Sequence, residues 1–118
     1  MSQVYSDFGA VYEIYAGTTK QFSTVPIDPA TGVAQDMTNT VTFATGYVDI
    51  VQADGTIIQA NIPITYTVRT AGTSYVTWTA GPFTNNQAGN WMAFIKYVNA
   101  SSTVIDQQKF NFKILESF

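Results

Sequence analysis

The stretch "NWMAFIKYV" (90–98) alternates strictly by twos. Trp91, Ala93, Ile95 and Tyr97 fall on one side of an extended chain, and Met92, Phe94, Lys96 and Val98 on the other;. The same period recurs in "IPITYTVR" (62–69), "SYVTWT" (74–79) and "QKFNFKIL" (108–115). No useful window carries apolar residues at i, i+3, i+4 and i+7, so nothing longer than a single helical turn is expected. With 17 threonines, 7 tyrosines and 8 phenylalanines, the composition favours strands throughout;.

Turn chemistry cuts the chain into short pieces. Asp28-Pro29-Ala30-Thr31-Gly32, Ala53-Asp54-Gly55, Ala71-Gly72, Gly81-Pro82 and Asn99-Ala100-Ser101 each supply a fixed φ, a positive φ or an Asx hydrogen bond;. Asp54-Gly55 predicts a hairpin between "YVDIVQ" and "TIIQ", and Thr70 to Gly72 a second one leading into "SYVTWT". Pro63 cannot donate to a ladder, so its strand starts there or lies at an edge. The fold class is therefore all-β: an immunoglobulin-like antiparallel β-sandwich of seven to nine strands, forming one domain over residues 11–118. Residues 1–10 are less periodic and read as an N-terminal arm, ordered against a neighbour or an open sheet edge. The expected core is Phe22, Ile62, Ile64, Val68, Val76, Trp78, Trp91, Ala93, Ile95, Phe110, Phe112 and Ile114.

The absence of cysteine and histidine excludes zinc sites, thiol nucleophiles, haem ligation and every imidazole-based triad;. The two glutamates, Glu13 and Glu116, lie near opposite ends of the chain, and the aspartates sit mostly beside turns. Neither pattern offers a paired-carboxylate site, and no D-x-D-x-D spacing gathers calcium ligands. No catalytic residue, metal or cofactor is expected. The net charge is −3 with five basic residues, too few for a phosphate-neutralising stripe, so nucleic acid is not an expected partner;. Neither a secretory signal nor a membrane-spanning apolar run is visible, and no membrane role is expected. Charged residues make up 11%, well below the usual quarter or so, which suits a component of a packed assembly;.

Five stretches occur in a familiar order: "TTKQFSTVPID" (18–28), "DMTNTVTF" (36–43), "DGTII" (54–58), "AGNWMAFIKYV" (88–98) and "FNFKI" (110–114). Together they resemble the small immunoglobulin-like domains of tailed-bacteriophage virion proteins, such as the N-terminal domain of phage upper-baseplate proteins. Met37 stands where that pattern usually has Leu. The tryptophans lie in the later strands, and there is no inter-sheet cysteine pair. Burial of large side chains, at about 1.5–3 kcal/mol each, has to replace the 2–5 kcal/mol or so that a disulfide commonly contributes.

The resemblance implies a non-enzymatic virion structural protein, assembled in the host cytoplasm. A capsid decoration or head-fibre role is expected first, docked on a capsid or baseplate protein, with self-association as a second mode. A baseplate or tail accessory protein is the alternative within that class. A carbohydrate-binding or adhesin module is the alternative outside it, since Tyr5, Phe8, Tyr12, Tyr15, Tyr47 and Tyr75 could stack on sugars. The candidate partner face follows from the alternation itself. A water-facing second side should be polar, yet Met92, Phe94 and Val98 are apolar. With Leu115 on the next strand, and residues of "YVDIV" (47–51) on the other side, they form an expected patch rimmed by Lys96, Lys109 and Lys113, and Tyr5 and Phe8 of the arm are expected to take part.

Overall fold

The computed structural model describes residues 12–52 and 54–117. Among these residues, eight strands pack as an immunoglobulin-like sandwich: β1 (Tyr12–Tyr15), β2 (Lys20–Thr24), β3 (Thr45–Val51), β4 (Ile57–Pro63), β5 (Thr65–Val68), β6 (Tyr75–Ala80), β7 (Gly89–Val98) and β8 (Val104–Leu115). The only helical turn among the described residues is a 3₁₀ turn at Asn85–Gln87. One sheet has five strands in the order β1-β8-β7-β3-β4, and the other has three in the order β2-β6-β5. All pairings are antiparallel except β1 on β8, which is parallel and pairs Tyr12 with Phe112 through Tyr15 with Leu115.

Both expected hairpins form. Between β3 and β4, the Gln52 N–H donates to the Thr56 carbonyl at 2.8 Å, and the Asp54 carboxylate accepts the Thr56 N–H at 2.9 Å. "IPITYTVR", however, is not one strand. Its first residues end β4 in one sheet, and the chain crosses at Ile64 to begin β5 in the other. Both pieces are edge strands, so Ile62, Ile64 and Val68 are half-buried rather than central. Gly46 permits the crossing. A Cβ there would collide with the Ile64 side chain and lie 2.7 Å from the Lys96 carbonyl.

The inward residues of β7 and β8 behave as the alternation predicts: Trp91, Ala93, Ile95, Tyr97, Phe110, Phe112 and Ile114 are all buried. Across the sandwich they meet Phe22, Val76 and Trp78. Phe22 stacks on Trp78 at 4.3 Å between centroids and meets Phe110 edge-on at 5.6 Å. Met37 and Phe43 complete the core from the connection between β2 and β3. Arg69, the only arginine, holds that connection: its guanidinium donates to the Met37 and Phe43 carbonyls, both at 2.9 Å, and lies 4.2 Å over the Tyr66 ring;.

Burial pushes the Tyr66 phenol up to about 12, partly opposed by the Arg69 charge, and burial pushes Tyr97 up as well. Unfolded tyrosines ionise near pH 10.0, so these groups favour the folded state fully below pH 10;. That contribution is lost as pH rises through the folded values. Urea unfolding midpoints should therefore fall steeply between pH 10 and pH 12, as tyrosinate absorbance rises. A flat midpoint across that window would contradict the burial of both phenols.

Candidate interaction face

The outward side of the five-stranded sheet can be read rung by rung from the pairing register. One rung carries Val51, Met92 and Asn111, the next Asp49, Phe94 and Lys109, and the next Tyr47, Lys96 and Gln107. In the other direction lie Asn90, Lys113 and Glu13, then Leu115 beside Tyr15. Val51 also pairs with Ile57, which is 57% exposed on β4. An apolar strip therefore runs across three strands, from Ile57 through Val51 to Met92, with Phe94 one rung away. Three of the chain's five basic residues, Lys96, Lys109 and Lys113, stand on this same side.

Of the residues expected here, Met92 and Phe94 are neighbours on the strip and half-buried. Phe94 stands opposite Lys109, and a lysine's methylene stem can lie along apolar surface while the ammonium stays in water;. Leu115 is half-buried on the same side but is not contiguous with Met92. The polar rung Asn90–Lys113–Glu13 separates them, and Leu115 forms a second, smaller spot with Tyr15, itself 57% exposed. Val98 is a correction. It is only 8% exposed, because the β7–β8 register shifts between Tyr97 and Val98 and the strict alternation ends there. Val98 therefore offers a partner almost nothing. Tyr5 and Phe8 lie outside the described residues.

Asp49 was not singled out by its sequence, yet it organises the far side of the strip. Its carboxylate accepts the Asn61 N–H at 2.9 Å and lies 3.4 Å from the Lys96 ammonium. Lys96 in turn sits 5.5 Å from the centre of the Tyr47 ring. Asn61 has φ +56°, and at this point three steps along β4 (Ile62 to Gln59) oppose two along β3 (Val48 to Ile50). This is a β-bulge whose turned N–H is taken by a carboxylate from the neighbouring strand. It bends β4 and, with Pro63, makes that edge a poor template for another strand. A positive-φ asparagine inside a strand has no signal in hydropathy.

Among the described residues, the aromatics considered for sugar stacking do not converge. Tyr12 packs on Phe22 and Phe110 at 5.1 and 5.8 Å. Tyr47 lies under Lys96, Tyr15 is on the β1 edge, and Tyr75 belongs to the other sheet. The three-stranded sheet presents hydroxyls instead, with the Thr67 and Thr77 hydroxyls 2.9 Å apart. No group of three or more acidic residues among the described residues is placed to hold a metal ion. No protein-family model matches the chain, and no curated protein matches it closely enough to infer common descent.

The bulge gives a direct test. Asn61→Gly should leave stability almost unchanged, because glycine adopts the same positive φ without strain. Asn61→Val should cost about 1–3 kcal/mol in chemical denaturation, since a β-branched residue is strained there. Equal stabilities for the two variants would contradict the bulge.

Proposed function

We propose that the protein is a non-enzymatic structural component of a tailed-bacteriophage particle, assembled in the host cytoplasm, that decorates the capsid through protein–protein contacts. Its docking face is the outward side of the five-stranded sheet. The observation that carries this is the apolar strip Ile57–Val51–Met92 with Phe94, framed by Lys96, Lys109 and Lys113. Interfaces concentrate Met and aromatic residues at the centre and leave Lys at the rim. A face of this charge on a chain of net charge −3 fits a partner with an apolar centre and an acidic rim;. The motif resemblance to immunoglobulin-like domains of virion proteins supplies the particle. A baseplate or tail position would use the same face, and a glycan-binding role is less well supported because the described tyrosines point in different directions.

The test is Phe94→Lys. The side chain is half-buried, so the variant should fold with a stability within about 1–2 kcal/mol of the parent;. Its affinity for capsids lacking the protein should drop about 30-fold or more, a hot-spot effect of roughly 2 kcal/mol or greater. Binding by the parent should weaken with added salt, since the rim is charged. A folded Phe94→Lys variant that decorates capsids as the parent does would contradict the assignment of this face. A parent that binds immobilised glycans and ignores capsids and tails would overturn the function.

A further inference from the structure

Sulfur enters this chain only as methionine: there is no cysteine, and the three methionines are Met1, Met37 and Met92. Met1 lies outside the described residues. The other two stand in contrasting surroundings. Met37 is fully buried, and its main chain is tied on both sides. Its N–H donates to the Arg69 carbonyl and its carbonyl accepts from the Arg69 guanidinium, each at 2.9 Å. Met92 is half-buried on the outward side of β7, in the rung between Val51 on β3 and Asn111 on β8. That rung is the middle of the apolar strip, with Ile57 beyond Val51 and Phe94 one rung away.

The rest of the strip is hydrocarbon and inert to mild oxidants, whereas a thioether is not. A sulfur lone pair attacks a hydroperoxide, so that an S–O bond forms as the O–O bond breaks. The sulfur gives up an electron pair, and hydrogen peroxide leaves as water. The sulfoxide that results replaces an adaptable apolar side chain by a polar one. On the free surface water satisfies the new oxygen, and the core is untouched because Met92 points away from it. In a docked contact the same oxygen is a desolvated acceptor beside Val51, which offers no donor;. Donors close by, Asn111 across the rung and Lys109 and Lys113 on the rungs to either side, stand on β8. A sulfoxide turned to meet them has left the strip.

We propose that Met92 is a redox-sensitive modification site, at which oxidation by a hydroperoxide to the sulfoxide blocks docking through the five-stranded sheet; this rests on that sheet's outward side being the docking face. The switch acts on the undocked protein. Docking covers the sulfur, so oxidant and partner compete for one surface and the docked protein is protected. Enzymatic reduction of the sulfoxide returns the thioether and with it the docking face.

The oxidation and its effect are both measured on the full chain, with dilute hydrogen peroxide as the oxidant. Peptide mass analysis should find oxygen added to Met92 about tenfold or more faster than to Met37 while the protein stays folded. The oxidised protein should bind capsids lacking it about tenfold or more less tightly, and methionine sulfoxide reductases for both epimers should restore binding. Met37→Leu, a volume-conserving change in the core, should lose binding on peroxide treatment as the parent does. Met92→Leu has no sulfur at that position, so its binding, compared with itself, should be the same before and after peroxide. Three results would overturn the switch and leave the docking face in place. They are oxidation of Met37 as fast as Met92, undiminished binding by protein carrying the Met92 sulfoxide, and a peroxide-induced loss in Met92→Leu. Untreated protein that does not bind capsids would defeat the docking face and the switch together.

Discussion

Phe22 lies flat on Trp78 within the three-stranded sheet, and the pair meets Phe110 and Phe112 of the five-stranded sheet edge-on or tilted, at centroid distances of 5.6 to 6.1 Å. Tyr12 closes the same cluster from β1, 5.1 Å from Phe22. In a sandwich without a disulfide, this aromatic block holds the two sheets face to face, adding to ordinary burial the specific geometry that aromatic pairs prefer;. Its effect reaches beyond the core. Once Phe110, Phe112 and Ile114 are committed inward, the pleat commits Lys109, Asn111, Lys113 and Leu115 outward. The β7 register then carries Met92, Phe94 and Lys96 to the same side;. The outward face follows from where the aromatic cluster sits.

That relation explains what could be read from the residues and what could not. Strict alternation over long runs identified the inward side of β7 and β8, because a period of two has only one interpretation once a core is required. It failed where the pleat is interrupted. Val98 follows the alternation on paper but lies beyond a register shift, and Asn61 interrupts β4 with a positive φ. "IPITYTVR" alternates without a break, yet its residues serve two sheets, since Gly46 leaves room for the chain to cross at Ile64. Met37 and Phe43 are buried from a connection with no periodicity. Their place depends on Arg69, more than 25 positions away, which neutralises two of the connection's carbonyls.

The candidate face was legible in part for the same reason. Met92 and Phe94 were identifiable as apolar residues on the side that should meet water. Contiguity was legible only in part: the "YVDIV" strand was expected beside Met92, but which of its residues shares the rung depends on the register. The register joins Met92 to Val51 and Ile57 rather than to Leu115, and it places Asp49 beside Phe94. Asp49 links the face to the fold, holding the bulge that bends β4 while its other oxygen meets Lys96. A single ion pair of this kind, part-buried and still within reach of solvent, contributes modestly by itself;. Its value here is positional, since it keeps the Lys96 head at the margin of the strip. The opposite sheet offers hydroxyls and no comparable apolar strip, so the two outer sides of the sandwich are chemically distinct.

The most direct test of the account is electron cryomicroscopy of assembled particles carrying the protein, at a resolution that separates the two sheets. The account predicts that the five-stranded sheet faces the particle, with Val51, Met92 and Phe94 covered and the Thr67–Thr77 side left in solvent. A particle-bound protein that rests on its three-stranded sheet, leaving Met92 and Phe94 exposed, would contradict it.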